Sequence, residues 1–336
     1  MRFFALDLHI SVIADLKDVL NQHEIIEWSL SGHNWVFNRP PATPEYITQK
    51  TWMNLTPAQL DTFRKKYDFF LKTFDGFLVG HAMPYVMLFQ PYGKPVYAWN
   101  TCRYDLPFCF TKDTATRKTY HDILKSMVST GQLKICSNNL ADQEYLRLGT
   151  GVSVPRIPSL CRYTKMKHTP VYPTFYWYST EVRCPPIREL TPRSKFEWSE
   201  LCKYRGIVHI PYEISTMSIC EHYQSGIPLL FPTKRFLKEL WAHGAPWNSV
   251  SLYWNTQLPA ELDSCKSPDF WLDRADFYDD TNMPFLYYFD SLSELESLLQ
   301  SFTDVHYQSR LEWIHSREQK TITYWSDAVN TTQDFA

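Results

Sequence analysis

Short apolar runs of strand character alternate with helical periodicities along almost the whole chain, and that alternation leaves few folds open. "RFFALDL" (2–8) reads as a buried strand, "IADLKDVLNQ" (13–22) as a helix and "HEIIEWSL" (23–30) as a second strand. "TPAQLDTFRKKYDFFLKTF" carries a complete helix start, with Thr56 as N-cap, Pro57 at the first position and Gln59 where a capping box places it. The strand "GFLVGH" (76–81), a short helix ending at Gly93 and the strand "KPVYAWN" (94–100) follow. The helix "RKTYHDILKSMVSTG", the strand "QLKICS", the helix "LADQEYLRLG" and a strand over "VSVPRIPSL" (152–160) complete the first half.

Beyond a Pro- and Tyr-rich stretch the alternation resumes. "TFYWYS" (174–179), a helix around "KFEWSELCKYR", "GIVHIP" (206–211), a helix near 216–224, "IPLLFP" (227–232) and "PFLYYFD" (284–290) succeed one another. Ser291 with Glu294 caps "LSELESLLQSF", and "SRLEWIHSREQKTITYWSDAV" is a final helical segment. Such a pattern predicts α/β architecture with mostly parallel sheets covered by helices on both faces. At 336 residues the chain exceeds one small core, so two Rossmann-like domains facing a central cleft are expected. The predicted boundaries are 1–165, 166–310 and a C-terminal helical segment over 311–336 that packs back.

A net charge of -2 supplies no global field toward nucleic acid or anionic lipid, so neither is an expected partner. No run approaches the ~18 apolar residues of a membrane span, and "MRFFALDLHISV" lacks the pattern of a signal peptide. The eight cysteines form no Cys-x-x-Cys pair. Reduced thiols, no metal site and a cytoplasmic location are the expectation. No Gly-x4-Gly-Lys loop, Gly-x-Gly-x-x-Gly turn, Gly-x-Ser-x-Gly elbow or Asp-x-Asp pair occurs. The acidic run "DRADFYDD", with Asp273, Asp276, Asp279 and Asp280, reads as a solvated loop.

The stretch "HIPYEISTMSICEHYQSGIPLLFP" (209–232) carries the most chemistry. Ser215 or Thr216 caps a helix whose first N–H groups, around Thr216 to Ser218, form an anion site at the carboxyl end of a strand. Glu213 lies in the loop above that site and Glu221 more than one turn down the helix, about 10 Å away. A diphosphate flanked by two hydroxyl-rich groups, as in a nucleotide-sugar, has a matching shape.

This stretch resembles the retaining Glu-x7-Glu group of the GT-B glycosyltransferases, in which the second glutamate leads into a Glu-x4-Gly-x-Pro turn. Glu213 and Glu221 fill the carboxylate positions, and Gly226 and Pro228 fill the turn. The resemblance implies a metal-independent hexosyl- or pentosyltransferase that needs no cofactor. It would move a sugar from a nucleotide-sugar donor to a hydroxyl acceptor on a glycan or glycoconjugate. Glu213 would hold the sugar and Glu221 the ribose, with Ser215, Thr216 and Ser218 around the diphosphate. Departures are the missing glycine-rich loop after the first strand, where "DLHISVIADL" stands, and the unmatched setting of the phosphate-neutralising candidates Arg183 and Lys234, with Arg188, Lys195 and Arg235. His9, after the first strand, is a candidate general base for an inverting reaction, with Asp7 orienting it. His81 occupies the analogous place after another strand, and Arg103 and Trp99 are candidates for the acceptor side. Trp35 and Tyr212 are further rings suited to stacking on a sugar. A nucleotide-sugar epimerase and a non-catalytic scaffold are the alternatives.

Overall fold

The computed structural model describes residues 1–109, 113–179, 186–192, 197–245 and 267–331. They pack into two compact units, one formed by Met1–Ser159 with the chain end from Thr321, the other by the described residues between Leu160 and Lys320.

The first unit holds β1 (Arg2–Asp7), α1 (Ile10–Val19), β2 (Glu24–Ser29), α2 (Pro57–Leu71), β3 (Gly76–Val79), α3 (Val86–Phe89), β4 (Val96–Asn100), α4 (Thr114–Ser129), β5 (Leu133–Ser137) and α5 (Leu140–Thr150). Its sheet is parallel, in the order β2-β1-β3-β4-β5. The predicted cap is in place, with Thr56 Oγ1 accepting from Gln59 N at 3.2 Å. The central strands β3 and β4 are buried throughout, as strands covered on both faces must be. α1 begins three residues before the predicted start, because the carboxylate of Asp7 takes the N–H of His9 and turns the chain at once. The segment 152–160 is not a strand. Pro155 and Pro158 lack the N–H a ladder needs, and Ser137 pairs with Arg156 through one isolated bridge.

The second unit holds β6 (Phe175–Tyr178), β7 (Leu190–Thr191), α6 (Trp198–Leu201), β8 (Ile207–His209), α7 (Met217–Gln224), β9 (Leu229–Pro232), α8 (Lys234–Ala242), α9 (Pro268–Leu272), β10 (Tyr287–Phe289), α10 (Leu292–Ser301) and α11 (Tyr307–Asn330). Its sheet is also parallel, in the order β10-β9-β8-β6-β7. Ser291 Oγ accepts from Glu294 N at 3.1 Å, as the sequence predicts. The last turns of α11 belong to the first unit, where Trp325 packs on Trp99 with ring centroids 5.4 Å apart.

Each sheet reverses its direction of growth once, between β1 and β3 in the first and between β6 and β8 in the second. In open parallel sheets the loops leaving the strands at that reversal part and leave a crevice, which is where ligands bind.

The turn after α7 depends on glycine. Gly226 has φ +79°, and a Cβ there would lie 2.9 Å from Leu311 Cδ2. Gly226→Ala is expected to lower stability by about 1–2 kcal/mol, most of it from the left-handed backbone, since the Leu311 side chain can yield. Urea denaturation checks this; an unchanged midpoint would refute it.

Candidate functional site

At the reversal of the first sheet, the carboxylate of Asp7 bridges two loops. Oδ1 accepts from His9 N at 2.6 Å and Oδ2 from His81 N at 3.0 Å. The loop after β3 comes this close only because residue 80 is glycine; a Cβ there would lie 2.5 Å from Asp7 Oδ2. Asp7 therefore fixes the backbone of both histidines and leaves their rings alone, a correction to the expectation that it orients the imidazole of His9.

The two rings stand side by side, with centroids 5.3 Å apart. Burial pushes His9 down to about 4, helped by the nearby charge of His33. Burial likewise holds His81 at about 3, helped by His9 and Arg103. Both are neutral at physiological pH, and His9 Nδ1 is buried without a hydrogen-bond partner. The structure thus gathers His9, His81 and Arg103 as the sequence anticipates and adds His33, which leaves β2 on the same side of the sheet. Trp35, on the turn that follows, is 69% exposed. Trp99 is a correction: it is fully buried, its Nε1 donating to Ile157 O at 2.9 Å, and it cannot face an acceptor.

The reversal of the second sheet holds a small hollow of about 10 Å³, lined by Tyr178, His209, Ile210, Pro211, Tyr212, Thr216 and Ile219. Thr216 is the N-cap of α7, its Oγ1 accepting from Ile219 N at 3.3 Å and lying 3.0 Å from Ser218 Oγ. The N–H groups of Met217 and Ser218 remain at the helix start with no acceptor inside the helix. Ser215 is turned elsewhere, donating to Asp276 Oδ2 at 2.5 Å. Asp276 also donates its own N–H to Ile214 O at 3.0 Å, so the loop above the hollow is held at two points.

The acidic run around Asp276 is a solvated loop only in part, with Asp273 and Asp280 exposed and the other two carboxylates buried. Asp276 is 1% and Asp279 8% exposed, and burial raises Asp276 to about 6. Nothing in the local sequence shows that Asp276 holds a loop 61 residues earlier in the chain.

Glu213 is half-buried in the loop before α7. Glu221 is 6% exposed, with Oε1 accepting from Tyr163 Oη at 2.5 Å and Oε2 from Trp198 Nε1 at 3.1 Å. Each oxygen keeps a further lone pair, so what limits contact with a ribose is the burial of the carboxylate rather than its two partners. Lys234 is paired with Asp273 at 2.6 Å, and Arg235 with Asp290 at 2.7 Å. Arg183 and Lys195 lie outside the described residues. Two buried histidines beside the hollow, His209 and His222, carried a signal that went unweighed: one ends an apolar strand and the other faces inward on the next helix.

Titration of the buried groups sets a pH dependence of stability. His9 and His121 at about 4, His81 and His222 at about 3, and His209 well below the imidazole norm are all held down chiefly by burial. An unfolded imidazole takes its proton below about 6.5, so from there down to about pH 4 these groups bind more protons in the unfolded state and acid destabilises. Burial raises Asp7 and Asp276 to about 6, and Asp105 upward as well; their contribution runs the opposite way, falling as pH rises. Five imidazoles outweigh three carboxylates, and the melting temperature is expected to drop between pH 6.5 and 4.5 at constant ionic strength. A flat or rising profile would contradict this.

Among the described residues no helix is long and apolar enough to cross a membrane. No family model and no curated protein sequence matches the chain. Solved structures do. The glycosyltransferase SnogD from Streptomyces nogalater superposes with a TM-score of 0.50 at 8% identity, covering 98% of each chain. The glycotransferase of kitacinnamycin (TM-score 0.47, 10% identity, 98% of each chain) and CalG4, the calicheamicin glycosyltransferase (0.47, 8%, 100% of this chain and 99% of that one), are further similar structures. At such identities the likeness is one of fold, and it rests on SnogD: two parallel α/β units of GT-B type.

Proposed function

We propose that this chain is a glycosyltransferase that binds a nucleotide-sugar in the hollow of its second unit and passes the sugar to a hydroxyl acceptor, with His9 of the first unit as general base. The observation that carries this is the start of α7 at the sheet reversal, with the small hollow beside it as the place where a phosphate would sit. The hollow lies at the sheet reversal and is lined by Thr216, the cap residue of α7, and by Tyr178 and Tyr212. Backbone N–H groups at a helix start suit a diphosphate, and aromatic walls suit a base or sugar ring. The GT-B fold agrees with this use.

In the reaction, the acceptor oxygen attacks the anomeric carbon as the bond from that carbon to the diphosphate breaks. The acceptor's proton passes to the neutral His9, and the nucleoside diphosphate leaves against the helix start. Charge on the leaving group is met by N–H donors in this scheme, with no metal ion assigned a part. Attack opposite the leaving group inverts the anomeric centre. Inversion follows from His9 acting as the base, in place of the retention that the resemblance to the paired-glutamate group implies.

A thermal-shift screen against nucleoside diphosphates and nucleotide-sugars tests the proposal. A ligand at about 100 times its dissociation constant adds about 2.7 kcal/mol to the native state and raises its melting temperature. If none of them shifts it, a non-catalytic scaffold takes precedence. An epimerase would instead convert the nucleotide-sugar with no acceptor present.

A further inference from the structure

One histidine pair has no role in the scheme above. His209 ends β8 and is 1% exposed, while His222 faces inward from α7 and is fully buried. His222 Nδ1 lies 3.1 Å from His209 Nε2. The His209 ring is stacked on Phe231 at 5.0 Å and 12°, which fixes its plane. Burial holds both imidazoles far below their ordinary range, His222 at about 3, so at neutral pH each ring carries one proton.

Two neutral imidazoles sharing one hydrogen bond allow two arrangements. If His209 Nε2 donates, the proton of His222 sits on its own Nε2, which is buried and has no partner. If His222 Nδ1 donates, that buried Nε2 carries only a lone pair, and the proton of His209 sits on Nδ1. A buried N–H with no acceptor is the rarer and costlier defect, so the second arrangement is preferred. The ring so polarised is one of those lining the hollow.

We propose that the His222–His209 pair is a tautomer lock whose outer end, His209 Nδ1–H, donates a hydrogen bond to a phosphate oxygen of a nucleoside diphosphate in the hollow. This rests on the nucleotide-binding role proposed above. A phosphate oxygen is the fitting acceptor because Thr216, which caps α7, lines the same hollow, so the N–H groups of Met217 and Ser218 add donors beside the ring. No proton is transferred. His209 contacts the ligand, and His222 is a positioning residue that acts through it.

Asparagine and glutamine separate the two ring nitrogens. His209→Asn places an amide N–H near the Nδ1 position and gives up the bond to His222; His209→Gln keeps a group near Nε2 and gives up the donor to the hollow. Binding of the adenosine, cytidine, guanosine, thymidine and uridine diphosphates to the wild-type protein and both variants is measured by calorimetry, with folding followed by circular dichroism. For the best-bound diphosphate, His209→Gln is expected to weaken affinity about 10–100-fold, as loss of a hydrogen bond to a charged group does. His209→Asn should stay within about threefold of wild type, because its donor survives. Nitrogen-15 spectra of labelled histidine should show both rings protonated at Nδ1. A glutamine variant that binds like wild type, equal losses in both variants, or a His222 ring protonated at Nε2 overturns the assignment. If the wild-type protein binds none of the five diphosphates, the nucleotide role of the hollow fails, and this ligand assignment with it.

Discussion

His9→Ala is expected to lower the rate of sugar transfer by about 10²–10⁴-fold, the usual contribution of a positioned general base. Nucleoside diphosphate affinity should stay within about twofold, because His9 and the hollow belong to different units of the fold. Burial leaves the His9 ring unprotonated down to about pH 4 and at the same time makes it a weaker base than a free imidazole, so its case rests on placement. Its backbone is held by Asp7, which grips the following loop of His81 as well. Single-turnover assays with a nucleotide-sugar and the acceptor found by screening read the chemical step directly. A variant that retains the wild-type rate would place the base elsewhere, whereas a fall in nucleotide affinity equal to the fall in rate would show that the substitution had damaged the fold.

The second large effect concerns the end of the second unit. The guanidinium of Arg310 is fully buried and spans two groups, the carboxylate of Asp304 and the carbonyl of Gly226, the latter reached by Nη2 at 3.0 Å. Nη1 adds a bond to Asp304 Oδ1 at 3.1 Å. Removing it leaves a carboxylate whose side chain is only 17% exposed with the Tyr287 hydroxyl, at 2.8 Å, as its remaining side-chain donor, and deprives a carbonyl in the turn after α7 of its guanidinium. Arg310→Ala is therefore expected to lower unfolding free energy by about 3–5 kcal/mol, the range for breaking one partner of a buried pair. Arg310→Lys should recover only part of this, since an ammonium cannot reach both groups in one plane. Equilibrium urea melts give the number; a loss below about 1 kcal/mol, typical of exposed ion pairs, would mean that water replaces the guanidinium. Because Gly226 belongs to the turn that leads from α7 to β9, nucleotide affinity should fall in proportion to the unfolded fraction and no further.

Much of the scaffold was legible in advance because its signals are local. A helix start is written within four residues, so Thr56 and Ser291 were placed correctly from the sequence, and Thr216 was one of two candidates named for its cap. A buried strand declares itself by its own apolar run, as "GFLV" and "LLFP" do. The segment 152–160 misled for the same reason: Val152, Val154 and Ile157 supply the apolar pattern, while Pro155 and Pro158 remove the donors on which pairing depends.

The amino-acid sequence by itself determined the kinds of element, their order and the α/β class, since periodicity, caps and strand runs act over a few neighbouring residues. Strand order decided the rest. It set His9 beside His81, gave the carboxylate of Glu221 to Tyr163 and Trp198, sank Trp99 into the core and joined His209 to His222. Those pairings join residues remote along the chain, and nothing local to either partner encodes them. Only the packing of the sheets chooses which polar groups meet each other and which are left facing a ligand.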